Sequence, residues 1–117
     1  MALYAVPSVA TNPLRLREQL HLSRERMARL MDVSAKTIER WEARKALPLN
    51  RSTRERLSRI QEITELGHAV YSPEGLERFL TTPLPVFDGA TALQMIEIGH
   101  ADRVLSALAA DYEGLGG

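Results

Sequence analysis

Between Ser34 and Lys45 the sequence SAKTIERWEARK sets two kinds of donor on one short segment. Lys36 and Arg40 stand four residues apart, so on a helix they share a face. Both can donate to the O6 and N7 of guanine, and Thr37 can meet a thymine methyl or a base edge, with Ala35 exposed beside them at the helix start, the end that enters a major groove. Arg24, Ser34, Arg44 and Lys45 are better placed for phosphates, which fix register without reading sequence. Glu39 lies on the same face and would repel phosphate. The plainer alternative is therefore a three-helix packing unit that holds this geometry and binds nothing.

Other chemistries find little support. His21, His68 and His100 are scattered, with no serine or carboxylate beside them in a recognisable constellation, and there is no glycine-rich phosphate loop and no HExxH spacing. The chain has no cysteine, hence no disulfide framework and no thiolate zinc site. The expectation is a protein that is not an enzyme and needs no cofactor or metal.

The donor segment must be held by helices. Asn12-Pro13 reads as N-cap and first helical position, because proline lacks only an N–H that would be orphaned there. Leu16 and Leu20 share the face that follows. Ser23 caps a second helix, with Met27, Leu30 and Met31 inward and Arg24, Arg26 and Arg29 outward. A turn at Asp32-Val33 leads to a third helix capped by Ser34, from about Ala35 to Arg44, with Ile38 and Trp41 on its buried side. Pro48 ends this section. Ser52-Thr53-Arg54-Glu55 matches a capping box, and Leu57, Ile60, Ile63, Leu66 and Val70 behind it predict a helix of four to five turns, with Gly67 weakening its last turn. Ser72-Pro73 opens another helix carrying Leu76, Phe79 and Leu80. TTPLPVFDGAT reads as a loop. Thr91 with Gln94 makes a second capping box, Gly99 closes that helix, and a last one from about Ala101 to Tyr112 buries Val104, Leu105 and Leu108. EGLGG reads as a free tail. No strand pattern or repeat is visible, so the expected fold is all-α.

The neutral net charge hides a split. Residues 1–59 hold 13 Lys/Arg against 6 Asp/Glu, and residues 60–117 hold 2 against 9, so the halves carry +7 and −7. The basic half suits a polyanion and the acidic half does not, which points to two surfaces with different partners. No apolar run approaches the roughly 20 residues needed to span a bilayer, and MALYAVPSVATNP is short and uncharged for a signal peptide. A cytoplasmic protein with no membrane contact is the expectation. The domains read as an arm over 1–11, a helix-turn-helix over 12–50, a connecting helix over 51–71, a helical domain over 72–113 and a flexible tail over 114–117.

LREQLHLSRERMARLMDVSAKTIERWEARKALP resembles the Xre-type helix-turn-helix of phage-repressor-like regulators. It departs in having Asp32 where glycine is usual and Arg24 where glutamine is often found. GLERFLTTPLPVFDGATALQMIEIGHADRVLSALAADYEG resembles the toxin-binding domain of the Xre/MbcA/ParS-like antitoxins, through Phe79-Leu80, Thr82-Pro83, Val86 to Gly89, Thr91 to Ile96, and Gly99 to Leu108. Phe79 stands where tryptophan is common, and Ala92 where proline is. The resemblance implies an antitoxin, paired with a RES-domain toxin that destroys NAD, forming a homodimer and a toxin-antitoxin hetero-oligomer. It further implies that the antitoxin represses its own operon by binding operator DNA. On that view Arg78, Asp102 and Arg103 form an interface rim. Asp111, Tyr112, Glu113, Gly114 and Leu115 reach into a cleft built for an anionic dinucleotide, where carboxylates pair with phosphate-binding arginines. Two alternatives stay open: a stand-alone helix-turn-helix repressor with a helical dimerisation domain, and an antitoxin whose helix-turn-helix is only scaffold.

Overall fold

A computed structural model of the chain describes residues 12–44 and 50–116, the side chains of Arg44 and Leu115 apart. The expected arm over 1–11, Lys45 and the break at Pro48 lie outside the described residues. Among those described there are seven α-helices, one 3-10 turn and no strand: α1 (Pro13–Gln19), α2 (Arg24–Met31), α3 (Ala35–Arg44), α4 (Arg51–Val70), α5 (Pro73–Thr81), the 3-10 turn (Pro85–Phe87), α6 (Ala92–Glu97) and α7 (Ala101–Gly116). The chain divides into two compact units, Met1–Gln61 and Glu62–Gly117. The division falls inside α4, so the segment expected as a connector contributes core to both.

In the first unit α1 and α2 pack on α3. Asn12 caps α1 through Leu14 N at 2.9 Å, and Ser23 caps α2 through Arg26 N at 3.0 Å. Both helices end on a residue in the left-handed region, His21 at φ 56° and Asp32 at φ 58°. In each case the next residue's N–H reaches back five positions, Leu22 N to the Arg17 carbonyl and Val33 N to that of Ala28, each at 3.0 Å. Short polar or imidazole side chains tolerate this backbone better than branched ones, so the turn forms without glycine. Leu16, Leu20, Met27, Leu30, Met31, Ile38, Leu57 and Ile60 are the buried core, with Trp41 only half-buried at its margin. Arg56 donates to the Leu30 carbonyl at 2.8 Å, satisfying one orphan acceptor at the end of α2.

α4 starts at Arg51, where the connecting helix is expected, but on a different cap. Asn50 is the cap: its Oδ1 accepts from Ser52 N at 2.9 Å and Thr53 N at 3.3 Å, and the Ser52 hydroxyl donates to the same oxygen at 2.9 Å. The box expected at Ser52 is not the start signal, because Asn50 upstream already takes the Ser52 N–H and places Ser52 inside the helix. Gly67 does not weaken the helix end either. It is buried, and a Cβ there would lie 2.5 Å from a Leu76 methyl, so glycine marks the close approach of α5.

The second unit is built on α5, α6 and α7, with α6 against both neighbours. Ser72 caps α5, and Thr91 and Gln94 form the reciprocal capping box of α6, at 3.0 and 2.8 Å. Ile63, Leu76, Leu80, Phe87, Leu93, Met95, Ile96, Val104 and Leu108 are buried, while Leu105 is only half so. The loop TTPLPVFDGAT contains the 3-10 turn, which drives Phe87 into the core edge-on to Phe79 at 6.3 Å. Asp88 at φ 56° and Gly89 at φ 90° then reverse the chain. α7 continues to Gly116 instead of stopping at Tyr112, so the expected free tail is helical as far as Gly116, and Gly117 lies outside the described residues. No proline interrupts that stretch.

Candidate functional site

Each unit carries one surface with chemistry. In the first, Ser34 sits at the N-terminus of α3 and its Oγ accepts from Thr37 N at 3.1 Å. The two hydroxyls lie 3.0 Å apart, and Arg40 Nη2 donates to Thr37 Oγ1 at 3.3 Å. The helix period alone brings these three together, at steps of three. Lys36, Glu39 and Arg40 are exposed, Ala35 and Thr37 half-exposed. The face is thus open, ordered by its own hydroxyls, and cationic except at Glu39. Arg44 has a described backbone only, and Lys45 lies outside the description.

Beneath that helix lies a group sequence reasoning missed. The Glu42 side chain is only 4% exposed, and it accepts from Arg17 Nε at 2.6 Å, Arg17 Nη2 at 3.2 Å and Arg24 Nε at 3.0 Å. Arg17 Nη1 donates to the Leu22 carbonyl at 3.0 Å. Burial alone would raise the Glu42 pKa, but the hydrogen bonds from Arg17 and Arg24 outweigh it and hold the carboxyl below its ordinary range. The signal was present: Glu42 is four residues after buried Ile38, on the core side of α3, where a carboxylate requires cations.

In the second unit α5, the 3-10 turn and α7 enclose a mostly apolar groove of about 610 Å³. Phe79, Leu84, Val86, Ala107 and Ala110 supply its apolar walls, with Tyr71, Arg78 and Asp111 as its polar lining. Val86 is 55% exposed, although it is a large apolar residue on a rigid turn. Its carbonyl accepts from Arg103 Nη2 at 2.8 Å, which ties the turn to the start of α7. Tyr71 stacks on Phe79, centroids 5.5 Å apart, and donates to Asp111 Oδ2 at 2.7 Å. Burial, and then the Asp111 carboxylate, push the phenol up to about 12.

Of the residues expected at this surface, Arg78 and Asp111 line the groove and Arg103 braces it. Asp102 is exposed in the first turn of α7, outside the lining. Tyr112 is 53% exposed, and Glu113 and Gly114 are exposed further along the same helix, also outside it. The Leu115 side chain lies outside the description. Tyr71 and Val86 were not singled out as site residues. Nothing local marks them, since they reach the groove only when α5 and α7 close around it. Among the described residues no cluster of three or more His, Asp or Glu could hold a metal ion, and no helix is long and apolar enough to cross a membrane.

Residues 9–62 match the family model of the antitoxin Xre-like helix-turn-helix domain, and residues 66–114 that of the antitoxin Xre/MbcA/ParS C-terminal toxin-binding domain. The two matches meet inside α4, where the structure also divides. A chain in the crystal structure of the M. tuberculosis MbcT-MbcA toxin-antitoxin complex superposes with a TM-score of 0.74 at 21% identity, covering 92% of this chain and 96% of that one. At that identity the likeness is one of fold. No curated protein matches the chain.

Proposed function

The chain belongs to the Xre/MbcA/ParS antitoxin family, and from that premise we propose that it silences a RES-domain toxin that degrades NAD and represses its own operon as a homodimer. Its domains are a helix-turn-helix and a toxin-binding domain, those of an antitoxin and not of an enzyme. The observation that carries the toxin reading is the groove between α5 and α7, which lies wholly within the segment matched as toxin-binding. It offers an exposed apolar anchor at Val86, and its lining also includes Arg78 and Asp111, which is the make-up of an interface core with a polar rim. The similar complex, named as one of a toxin with its antitoxin, supports the same reading.

Inhibition follows from the far end of α7. Tyr112 and Glu113 stand exposed on its last turns, and a cleft made for an anionic dinucleotide presents arginines that a carboxylate can take. The element offered to the toxin is then a helix end rather than a loose tail, and its ordering cost is met in folding. Repression rests on the open cationic face of α3 and on the +7 charge of residues 1–59. A cytoplasmic location accords with both partners.

Co-expression with a RES-domain toxin as partner tests the reading. The wild-type chain should restore growth and NAD, and Val86→Asp should not, although it folds. Rescue by Val86→Asp equal to wild type would remove the groove from the account. Operator binding by the wild type with no toxin captured in a pull-down would leave a stand-alone repressor. Toxin capture with DNA binding indifferent to Lys36→Ala/Arg40→Ala would leave the helix-turn-helix as scaffold.

A further inference from the structure

We propose that Glu42 is a positioning residue for DNA: it holds Arg24 by the Nε, so that the remaining guanidinium nitrogens form a preset clamp for a backbone phosphate. The inference rests on the reading of α3 as a DNA-binding helix and adds to it the device that fixes its flanking contact.

Charge balance alone does not call for Arg24. Arg17 already meets Glu42 through Nε and Nη2 and gives its Nη1 to the Leu22 carbonyl, so each of its three nitrogens has a partner, and its side chain is 18% exposed. One buried carboxylate is thereby neutralised. Arg24 is a second cation on the same carboxylate, leaving the cluster with a net positive charge. Helix stability does not explain it either, because Arg24 is the first residue of α2, where the macrodipole disfavours a cation. The arrangement of its atoms is informative. Nε donates inward to Glu42 Oε1 at 3.0 Å, the side chain is 48% exposed, and Nη1 and Nη2 have no partner among the described residues. An arginine bound at its inner edge and open at its outer edge is oriented, and the outer pair of nitrogens is the geometry that takes two phosphate oxygens. Because the tie to α3 forms on folding, the rotamer freedom of a long side chain is lost then and not on binding DNA. A lysine is a poor replacement, since its ammonium is a point charge on a flexible stem and offers no planar pair of parallel donors to two phosphate oxygens while tied to Glu42.

The experiment measures affinity of the full chain for a ~30 base-pair random-sequence duplex across a salt series, since phosphate contacts are sequence-independent and each contributes ~0.9 to the salt slope. Arg24→Gln should weaken binding about 10-fold and lower the slope by about 1. Arg24→Lys keeps the charge and leaves Arg17 on Glu42, so it folds, and it should still weaken binding about 5-fold. Glu42→Gln discriminates by sign: removing a negative charge near phosphate strengthens binding if only charge matters, whereas loss of the anchor weakens it. Weaker binding by a folded Glu42→Gln chain, with Arg24→Gln adding less than about twofold on top, supports the clamp. If Glu42→Gln does not fold, Arg24→Lys decides. Wild-type affinity in Arg24→Lys, or tighter binding in folded Glu42→Gln, overturns the proposal. Lys36→Ala/Arg40→Ala in the same series separates the two levels: if it has no effect, or the wild type binds no duplex, the DNA reading falls and the clamp with it. If it weakens binding while Arg24→Lys does not, the clamp alone falls.

Discussion

Alkaline pH should loosen the second unit through a single phenol. Tyr71 follows the last residue of α4, with its N–H on the Gly67 carbonyl at 2.8 Å, and its ring lies on Phe79 while its hydroxyl donates to Asp111. Burial and that carboxylate raise it from 10.0 to about 12. A folded-state value above the unfolded one means that its contribution is complete below pH 10 and is lost as the pH climbs through about 12. A shift of about two units would correspond to ~2.7 kcal/mol at full strength. Asp111 is exposed, however, and solvent screening reduces the interaction to about 1 kcal/mol. Tyr71→Phe keeps the stacked ring and removes only the hydroxyl. Urea denaturation should find it about 1 kcal/mol less stable than wild type at neutral pH. That difference should close over the window from pH 10 to about 12. Tyrosinate absorbance gives an independent reading: the wild type should show a delayed component that Tyr71→Phe lacks. No delayed component, or one that survives the substitution, would refute the assignment. So would a stability gap that stays constant with pH.

Other outcomes follow from single features. Asn50→Ala should cost about 1 kcal/mol in denaturant unfolding and Ser52→Ala close to nothing, because the asparagine oxygen holds the first N–H groups of α4; equal costs would restore the serine as cap. Glu42 has a depressed folded value, so its stabilisation is present above pH 4.5 and lost as the pH falls through that lower value. Melting of Glu42→Gln should accordingly show a smaller acid-side decline than the wild type. Gly67→Ala should lower the melting temperature, since displacing buried Leu76 outweighs the ~1 kcal/mol gained in helix propensity; a higher melting temperature would show that Leu76 moves freely. Removing Glu113 to Gly117 should weaken toxin inhibition while helical content beyond those residues is retained by circular dichroism, and undiminished inhibition would exclude the end of α7.

Local rules read from the sequence carried most of the helices. Asn12, Ser23, Ser34, Ser72 and the Thr91–Gln94 pair cap where their side-chain chemistry says they should, because capping is decided within four residues. The apolar spacing of Met27, Leu30, Met31 and Ile38 likewise marks the core of the helix-turn-helix without reference to anything distant. The resemblance of both halves to antitoxin domains rests on the same short-range order and is the family the matches assign. Where local signals competed, they misled: Asn50 displaced Ser52, and α7 ran past Tyr112.

What no local pattern contained was the partnership of residues far apart in the chain. Glu42 meets Arg24 across 18 residues and Arg17 across 25; Tyr71 meets Asp111 across 40. Such pairs depend on how helices cross, and crossing is set by the fit of whole buried faces rather than by any one residue's preference. The sequence by itself determined which residues are cationic, which are apolar and which turn the chain. Only the packed fold decided that a glutamate would grip two arginines under α3 and that an apolar groove would open between α5 and α7, because a charge is buried and a cavity is lined only when distant elements close on them.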